Sequence, residues 1–276
     1  MRLLNLGCGS RYNTEWVNID FTSTPPHVLG HNLLNGIPFP DVEFNMIYHS
    51  HALEHFSKKD GIEFITECYR VLKPGGILRI AVPDLEGIVR CYLEQLESAL
   101  KGDERAALNY DWILLEMYDQ TIREEPGGEM LKYLQQKTLV NEEFIIRRVG
   151  IEAINIRNRM KRPKPLPVKN IYGSLVLKKF ISLSSYKNLL KHILSKKKIQ
   201  SNDRYIAIGQ FRKGGEIHQW MYDRYSLSKL LSSVGFKDIM KRSAFESYLK
   251  NWNNYELESK NGIIFKPDSL FIEAIK

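Results

Sequence analysis

Residues 3–20 read LLNLGCGSRYNTEWVNID. Leu3 to Leu6 has the length and apolar character of a short buried strand. It runs straight into Gly7-Cys8-Gly9, and a second short strand, Trp16 to Asp20, follows. Glycines at the carboxyl end of a strand let backbone pass close to a ligand and present its amides. Asp20, ending the next strand, is placed to accept hydrogen bonds from a ribose diol. Gly-x-Gly by itself is made by many tight turns. A dinucleotide site uses G-x-G-x-x-G with its acid about 20 residues on. Here Tyr12 stands at the third glycine position and Asp20 follows Gly9 by only eleven residues. The stretch reads as a nucleotide-type loop with no pyrophosphate to hold.

Further strands are expected around Val28 to His31, at Asn45 to Ser50 and at Ile77 to Val82, the last after the turn Lys73-Pro74-Gly75-Gly76. Between them Asp60 to Leu72 reads as a helix with Ile62, Ile65, Cys68 or Tyr69, and Leu72 on one apolar face. Strands alternating with helices predict a parallel sheet. From Leu85 to about Gly215 the pattern is helical instead: 85–100, 104–124, parts of 129–160 and 185–197, with RPKPLPV at 162–168 breaking any helix there. The α/β pattern then resumes with a helix over Ser226 to Val234, closed by Gly235, and strands over Phe236 to Arg242 and Ser269 to Ile275. The organisation is therefore a cofactor-binding half (1–84), a mainly helical insertion or lid (85–215) and a C-terminal completion of the same domain (216–276). Connections in such folds are short, so an insertion this long usually serves a purpose.

The 276 residues are 43% hydrophobic and 26% charged, ordinary for a globular chain. No apolar run approaches the roughly 20 residues of a membrane span, and no signal peptide opens the chain. Cys8, Cys68 and Cys91 fit reduced thiols and a cytoplasmic location, not a disulfide framework or a zinc site. The net charge of +8 is uneven: residues 157–213 hold sixteen basic side chains against one acid, Asp203, giving +15, and the remainder carries −7. A solvated lysine-rich surface accounts for this more readily than a patch for an anionic partner.

Four blocks together, LNLGCGS, VNID, NLLNGIPFPDVEFNMIYHSHALEHF and ECYRVLKPGGILRIAVPDLE, resemble the successive motifs of class I S-adenosylmethionine-dependent methyltransferases, most closely the small bacterial enzymes of the type 11 group. They cover residues 3–86, and YSLSKLLSSVGF resembles the family's final helix and strand. The resemblance implies a Rossmann-like fold: a mostly parallel seven-stranded sheet with an antiparallel last strand. It implies S-adenosylmethionine as cofactor and S-adenosylhomocysteine as product. By position, Leu6, Gly7, Cys8 and Gly9 would face the methionine part, Asp20 the ribose, Asn32 and Leu33 the adenine, and His49 and Ser50, with His51, the sulfonium end. Asn32 stands where an Asp commonly contacts the adenine amino group; an amide oxygen can still accept. Asn45 replaces the Asp usual before the fourth strand, a structural difference. The family's usual helix before the first strand is lacking here, so the insertion is expected to cover the cofactor.

Cys8 reads as a small apolar turn residue rather than a nucleophile. His49, His51 and His55 have spacings that a metal site can use, yet no second ligand cluster accompanies them, so no metal is expected. In the insertion, Glu116, Gln120 and Arg123 fall on one helical face with Asp119 beside it. Tyr118, Asp119, Gln120, Arg123 and, before the last helix, Trp220 are the acceptor-binding candidates; an ordinary surface helix reads as well. If the acceptor is a hydroxyl, His218 or His51 is the candidate base. If it is a carboxylate, Arg123 would position it. The expected activity is O-methylation of a small molecule, sugar or peptide natural product, with an anionic acceptor and a homodimer through the insertion both allowed. A nucleic-acid methyltransferase ranks below this, because no Asn-Pro-Pro-aromatic motif or RNA module is present. A non-catalytic binding protein is the third reading.

Overall fold

The computed structural model describes residues 1–161 and 203–276. The helix expected at 185–197, and most of the basic segment, lie outside the described residues. The sheet is built from β1 (Leu3–Leu6), β2 (Val17–Asp20), β3 (Val28–Gly30), β4 (Phe44–Ser50), β5 (Leu72–Pro83), β6 (Lys237–Arg242) and β9 (Ser269–Ile275). Their spatial order is β3-β2-β1-β4-β5-β9-β6. The pairs β1–β2, β1–β4, β2–β3 and β4–β5 are parallel, while β9 runs antiparallel to both β5 and β6. A hairpin of β7 (Ser259–Lys260) and β8 (Ile263–Ile264) sits in the β6–β9 connection.

One face of the sheet is covered by α1 (Lys58–Val71) and α8 (Arg224–Val234). Ser57 caps α1 by accepting from Asp60 N, and Asp223 and Ser226 cap α8 reciprocally. The buried face of α1 is Gly61, Phe64, Ile65, Cys68 and Val71; Ile65, Cys68 and the following Leu72 of the expected stripe are buried, and Ile62 is not. Ile62 is 45% exposed. Gly61 has taken the inward position because the Tyr222 hydroxyl lies only 3.0 Å from where a Cβ would stand.

The opposite face is closed by Leu249, Trp252 and Leu257 of the β6–β9 connection, which meet Trp16, Met46 and Tyr48. Here β5 buries a full charge, Arg79. Its guanidinium donates to Glu258 at 2.5 and 3.0 Å and to Glu273 at 2.9 Å, to the carbonyls of Ser243 and Glu246, and lies 4.5 Å from the Trp252 ring centroid. A buried ion pair repays its desolvation only with such complete partnering. Arg79 thus fastens the β6–β9 connection onto the sheet.

The excursion at the carboxyl edge begins at Asp84 and holds α2 (Leu85–Leu100), α3 (Glu104–Ile122), α4 (Gly128–Leu134), α5 (Glu142–Val149) and α6 (Ile151–Lys161), with helix α7 over 203–213. It has its own core around Ile88, Trp112, Ile113, Leu134 and Ile145. Buried Glu116 joins that core, accepting from Arg148 at 2.6–2.8 Å and from the Trp112 indole. The chain returns where it left: Asp84 bridges Tyr222, and Leu85 N donates to Tyr222 O at 3.0 Å. Among the described residues, no helix is long and apolar enough to cross a membrane.

Candidate active site

Parallel β1 and β4 end side by side, with Leu6 opposite His49, so their trailing loops open on one edge. Gly7 and Gly9 both have left-handed backbone, φ +64° and +53°. Cys8 N donates to Ile19 O at 3.1 Å, and Gly9 N donates to Asp20 Oδ2 at 2.7 Å, tying the loop to the end of β2. A Cβ on Gly7 would come within 3.0 Å of Ala52 Cβ, but one on Gly9 would meet nothing within 4 Å. The loop's open side is therefore at Gly9. A cavity of about 230 Å³ lies there, lined by Gly7 to Arg11, Asn5, Tyr48, Ser50 and His51, with Leu257 and Lys266 as its far wall. An amide-bearing turn with open space over it and a carboxylate at its rim fits an adenosyl amino acid. Gly7 to Gly9, Ser10 and Ser50 would hold its amino-acid end and Asp20 its ribose.

A second cavity, about 480 Å³, lies under the insertion. One wall is apolar, from Met130, Leu131, Leu134, Val149, Ile151 and Ile156; the other carries Arg11, Gln120, Arg123, Arg159, Lys266, Glu152 and Asp268. Arg11, His51 and Lys266 line both cavities. His51 stands at the junction with φ +51°, a left-handed backbone uncommon outside glycine. Its Nε2 is 2.8 Å from Ser269 Oγ, and its Nδ1 is 3.1 Å from Glu54 Oε1, close but poorly aligned for a hydrogen bond.

A family model described as "Methyltransferase domain" matches residues 10–80. A probable S-adenosylmethionine-dependent methyltransferase of Mycolicibacterium smegmatis is 27% identical over 99 residues, covering 30% of this chain and 38% of that protein. The aligned part thus spans well under half of that relative. A solved S-adenosylmethionine-dependent methyltransferase of Archaeoglobus fulgidus covers 100% of this chain and 86% of its own at 13% identity and a TM-score of 0.38. Another from Aquifex aeolicus covers 30% and 57% at 20% identity and a TM-score of 0.24. Residues 10–80 therefore carry the signature of a methyltransferase domain, in the stretch that holds Asp20, the partner of Gly9 N, and β4.

Several expected site residues lie elsewhere. Leu6 is wholly buried in the core beneath the loop. His49 is also fully buried, its ring 5.1 Å from that of Phe64, because strand alternation turns Tyr48 and Ser50 to the groove and His49 to the helix side. Burial pushes the His49 ring down to about 4, so it is neutral. Asn32 Oδ1 accepts from Leu34 N at 3.0 Å, capping the Leu33–Asn35 turn, and its Nδ2 is the end left to meet an adenine. Leu257 and Lys266, on the β6–β9 connection, wall the groove, and no described residue of the insertion lines it.

On the acceptor side, Gln120 and Arg123 reach the large cavity. Asp119 is buried instead, accepting from Arg123 at 2.7 Å and from Glu129 N at 2.7 Å. Tyr118 is 54% exposed, and Trp220 lies under Lys58, 5.0 Å from its ring; neither lines the large cavity. His218 also lies outside both cavities, 4% exposed, with burial pushing its ring down to about 3. It faces Glu54, which is fully buried. Burial alone would raise that carboxyl, but the facing His51, His218 and His55 rings outweigh it and hold Glu54 ionised.

The Cys8 thiol is raised to about 11 by burial and then by Asp20, consistent with an inert turn residue. Sequence reasoning missed Asn5, Arg11, Tyr48, Glu54, Leu257 and Lys266. Asn5, Tyr48 and Glu54 sit inside the quoted motifs and Arg11 directly follows the first, so position in the block was an available signal. Lys266 and Leu257 have none, since they reach the groove from a long connection.

Proposed function

We propose that the protein transfers the methyl group of S-adenosylmethionine to an oxygen of a small acceptor, such as a sugar or peptide natural product, held under the insertion. The observation that carries this is the junction: the loop groove and the larger cavity share Arg11, His51 and Lys266, so ligands in the two would abut. The bound cofactor supplies an already activated methyl group, and the protein's task is alignment and exclusion of water. Asp20 and the Gly7–Gly9 turn orient the donor. His51, whose Nε2 lies 2.8 Å from Ser269 Oγ and whose Nδ1 faces Glu54, would take a proton from an acceptor hydroxyl once Ser269 gives way. His218, buried away from both cavities, does not serve as that base. The cationic wall of Arg11, Arg123, Arg159 and Lys266 favours an acceptor that carries an anionic group, and the facing apolar wall favours a hydrocarbon or aromatic body.

Calorimetric titration with S-adenosylmethionine is the first test, and absence of binding would end the proposal. With an acceptor in hand, His51→Ala should lower kcat about 10²–10⁴-fold for a hydroxyl and leave cofactor affinity intact. Arg123→Ala should impair acceptor turnover far more than cofactor binding. Unchanged turnover in both variants would move the acceptor out of this cavity.

A further inference from the structure

We propose that Glu54, His55 and His218 bind a divalent first-row transition ion, zinc foremost, which fastens the returning end of the insertion to the turn after β4. One donor atom from each of the three side chains lies within 4.8 Å of the others. They come from two segments far apart in sequence, and backbone bonds hold those segments together. Gln219 N and Trp220 N donate to Glu54 O at 2.7 and 3.2 Å, and Gln219 Nε2 donates to His55 O at 2.7 Å.

The polar atoms of this cluster lack the partners that burial demands. Both Glu54 carboxylate oxygens and His218 Nδ1 are buried with no hydrogen bond. A buried polar group left unmade is costly, and a buried carboxylate more so. His51 Nδ1 lies 3.1 Å from Glu54 Oε1 and His218 Nε2 lies 3.9 Å from it, and neither makes a well-aligned hydrogen bond to the carboxylate. A dipositive ion would satisfy both the charge and the orphaned lone pairs.

The details of the rings agree with ligation. His55 Nδ1 is 3.1 Å from Ile217 O, a bond that places its proton on Nδ1 and leaves the Nε2 lone pair free. That outer hydrogen bond to a backbone carbonyl is characteristic of imidazoles that ligate metals. Two imidazoles and one carboxylate suit zinc and its first-row neighbours, whereas calcium and magnesium ask for oxygen alone. Zinc bonds of about 2.0–2.1 Å put tetrahedral donors about 3.3 Å apart, so the 3.9 Å between His218 Nε2 and Glu54 Oε1 needs to close by about half an ångström, and a pair at the 4.8 Å limit by about 1.5 Å. A fourth position is left for water. The nearby guanidinium of Arg123 does not compete for the carboxylate, since it is held by Asp119 at 2.7 Å.

The inference stands apart from the acceptor reading, because the cluster lines neither cavity. The test uses the full chain, stripped with a chelator and titrated with cobalt(II) and zinc(II). The expected result is one equivalent bound, visible d–d bands typical of low-coordinate cobalt, and a raised thermal midpoint. Glu54→Gln and His218→Gln should each weaken binding at least 10- to 100-fold, and S-adenosylmethionine titration of the same samples reports whether they are folded. If either variant loses cofactor binding, His55→Gln, at a half-buried position, takes its place. No stoichiometric binding to the wild type, or equal binding in the folded variants, would overturn the proposal and leave Glu54 solely a partner of His51.

Discussion

Replacing Gly7 and Gly9 separately by alanine tests which side of the opening loop faces the cofactor. Both glycines are left-handed, at φ +64° and +53°, so either alanine should cost about 1–2 kcal/mol of stability through backbone strain. Their surroundings then separate them. At Gly7 the new methyl would sit 3.0 Å from Ala52 Cβ, so the β4 end must also shift and further stability is lost. At Gly9 the methyl would meet no protein atom within 4 Å, so the fold loses nothing more. It projects into the space where the cofactor would lie. Forcing one methyl into a packed contact costs about 1–3 kcal/mol, a rise in Kd of roughly 5- to 150-fold. Urea denaturation and calorimetric titration with S-adenosylhomocysteine give the two quantities independently. Gly9→Ala should therefore be mild in urea and severe in binding, and Gly7→Ala the more severe in urea. If Gly9→Ala binds as tightly as the wild type, the open side of the loop is not the cofactor's side.

Three further outcomes follow from buried groups. His49 protonates at about 6.5 in the unfolded chain but is held down at about 4 in the fold, so stability is full above pH 6.5 and falls as pH drops towards 4; at pH 5 the loss is about 2 kcal/mol. His49→Leu should remove that share of the acid sensitivity in urea melts, and an unaltered pH profile would place the ring in water. Arg79→Met strands Glu258 and Glu273, and should cost about 3–5 kcal/mol, while adding Glu258→Gln and Glu273→Gln should restore most of it. A single-variant loss below 1 kcal/mol would refute the buried triad. With its thiol raised to about 11, Cys8 is thiolate in about one molecule per thousand at pH 8, so alkylation by iodoacetamide should be far slower than for a free thiol. Rapid labelling at Cys8 would contradict the burial described here.

The cofactor half was legible because its signals are local. A buried strand, two glycines and an acid at the next strand end lie within eighteen residues, and each states its own geometry. Helix α1 was legible in kind and in most of its inward face, Ile65, Cys68 and Leu72; at its first turn Gly61, packed under the Tyr222 hydroxyl, takes the inward place expected of Ile62, a contact made from 161 residues away. Arg79 sits in the apolar run ILRIAV, which announces that a partner exists; Glu258 and Glu273 lie 179 and 194 residues away, so the sequence does not name them. His218 was legible as a functional candidate from its place before the last helix. Its meeting with Glu54, across 164 residues, depends on how the insertion closes.

That closure bears on how the two halves of the site divide their work. The excursion leaves at Asp84 and returns at Tyr222 beside it, so its length is set free from the sheet, and closing a long loop adds little entropic cost per added residue. The donor loop is fixed by residues 3–20, which never enter the excursion. The larger cavity draws most of its lining from α3 to α6. If the acceptor binds there as proposed, its choice can change through the insertion without disturbing donor binding, provided that the return segment stays seated. Seating depends on Gln219 and Trp220 bonded to Glu54, and on Ile217 bonded to His55. The Glu54–His218 contact is consequently where a change would unseat the return segment, although it lines neither cavity.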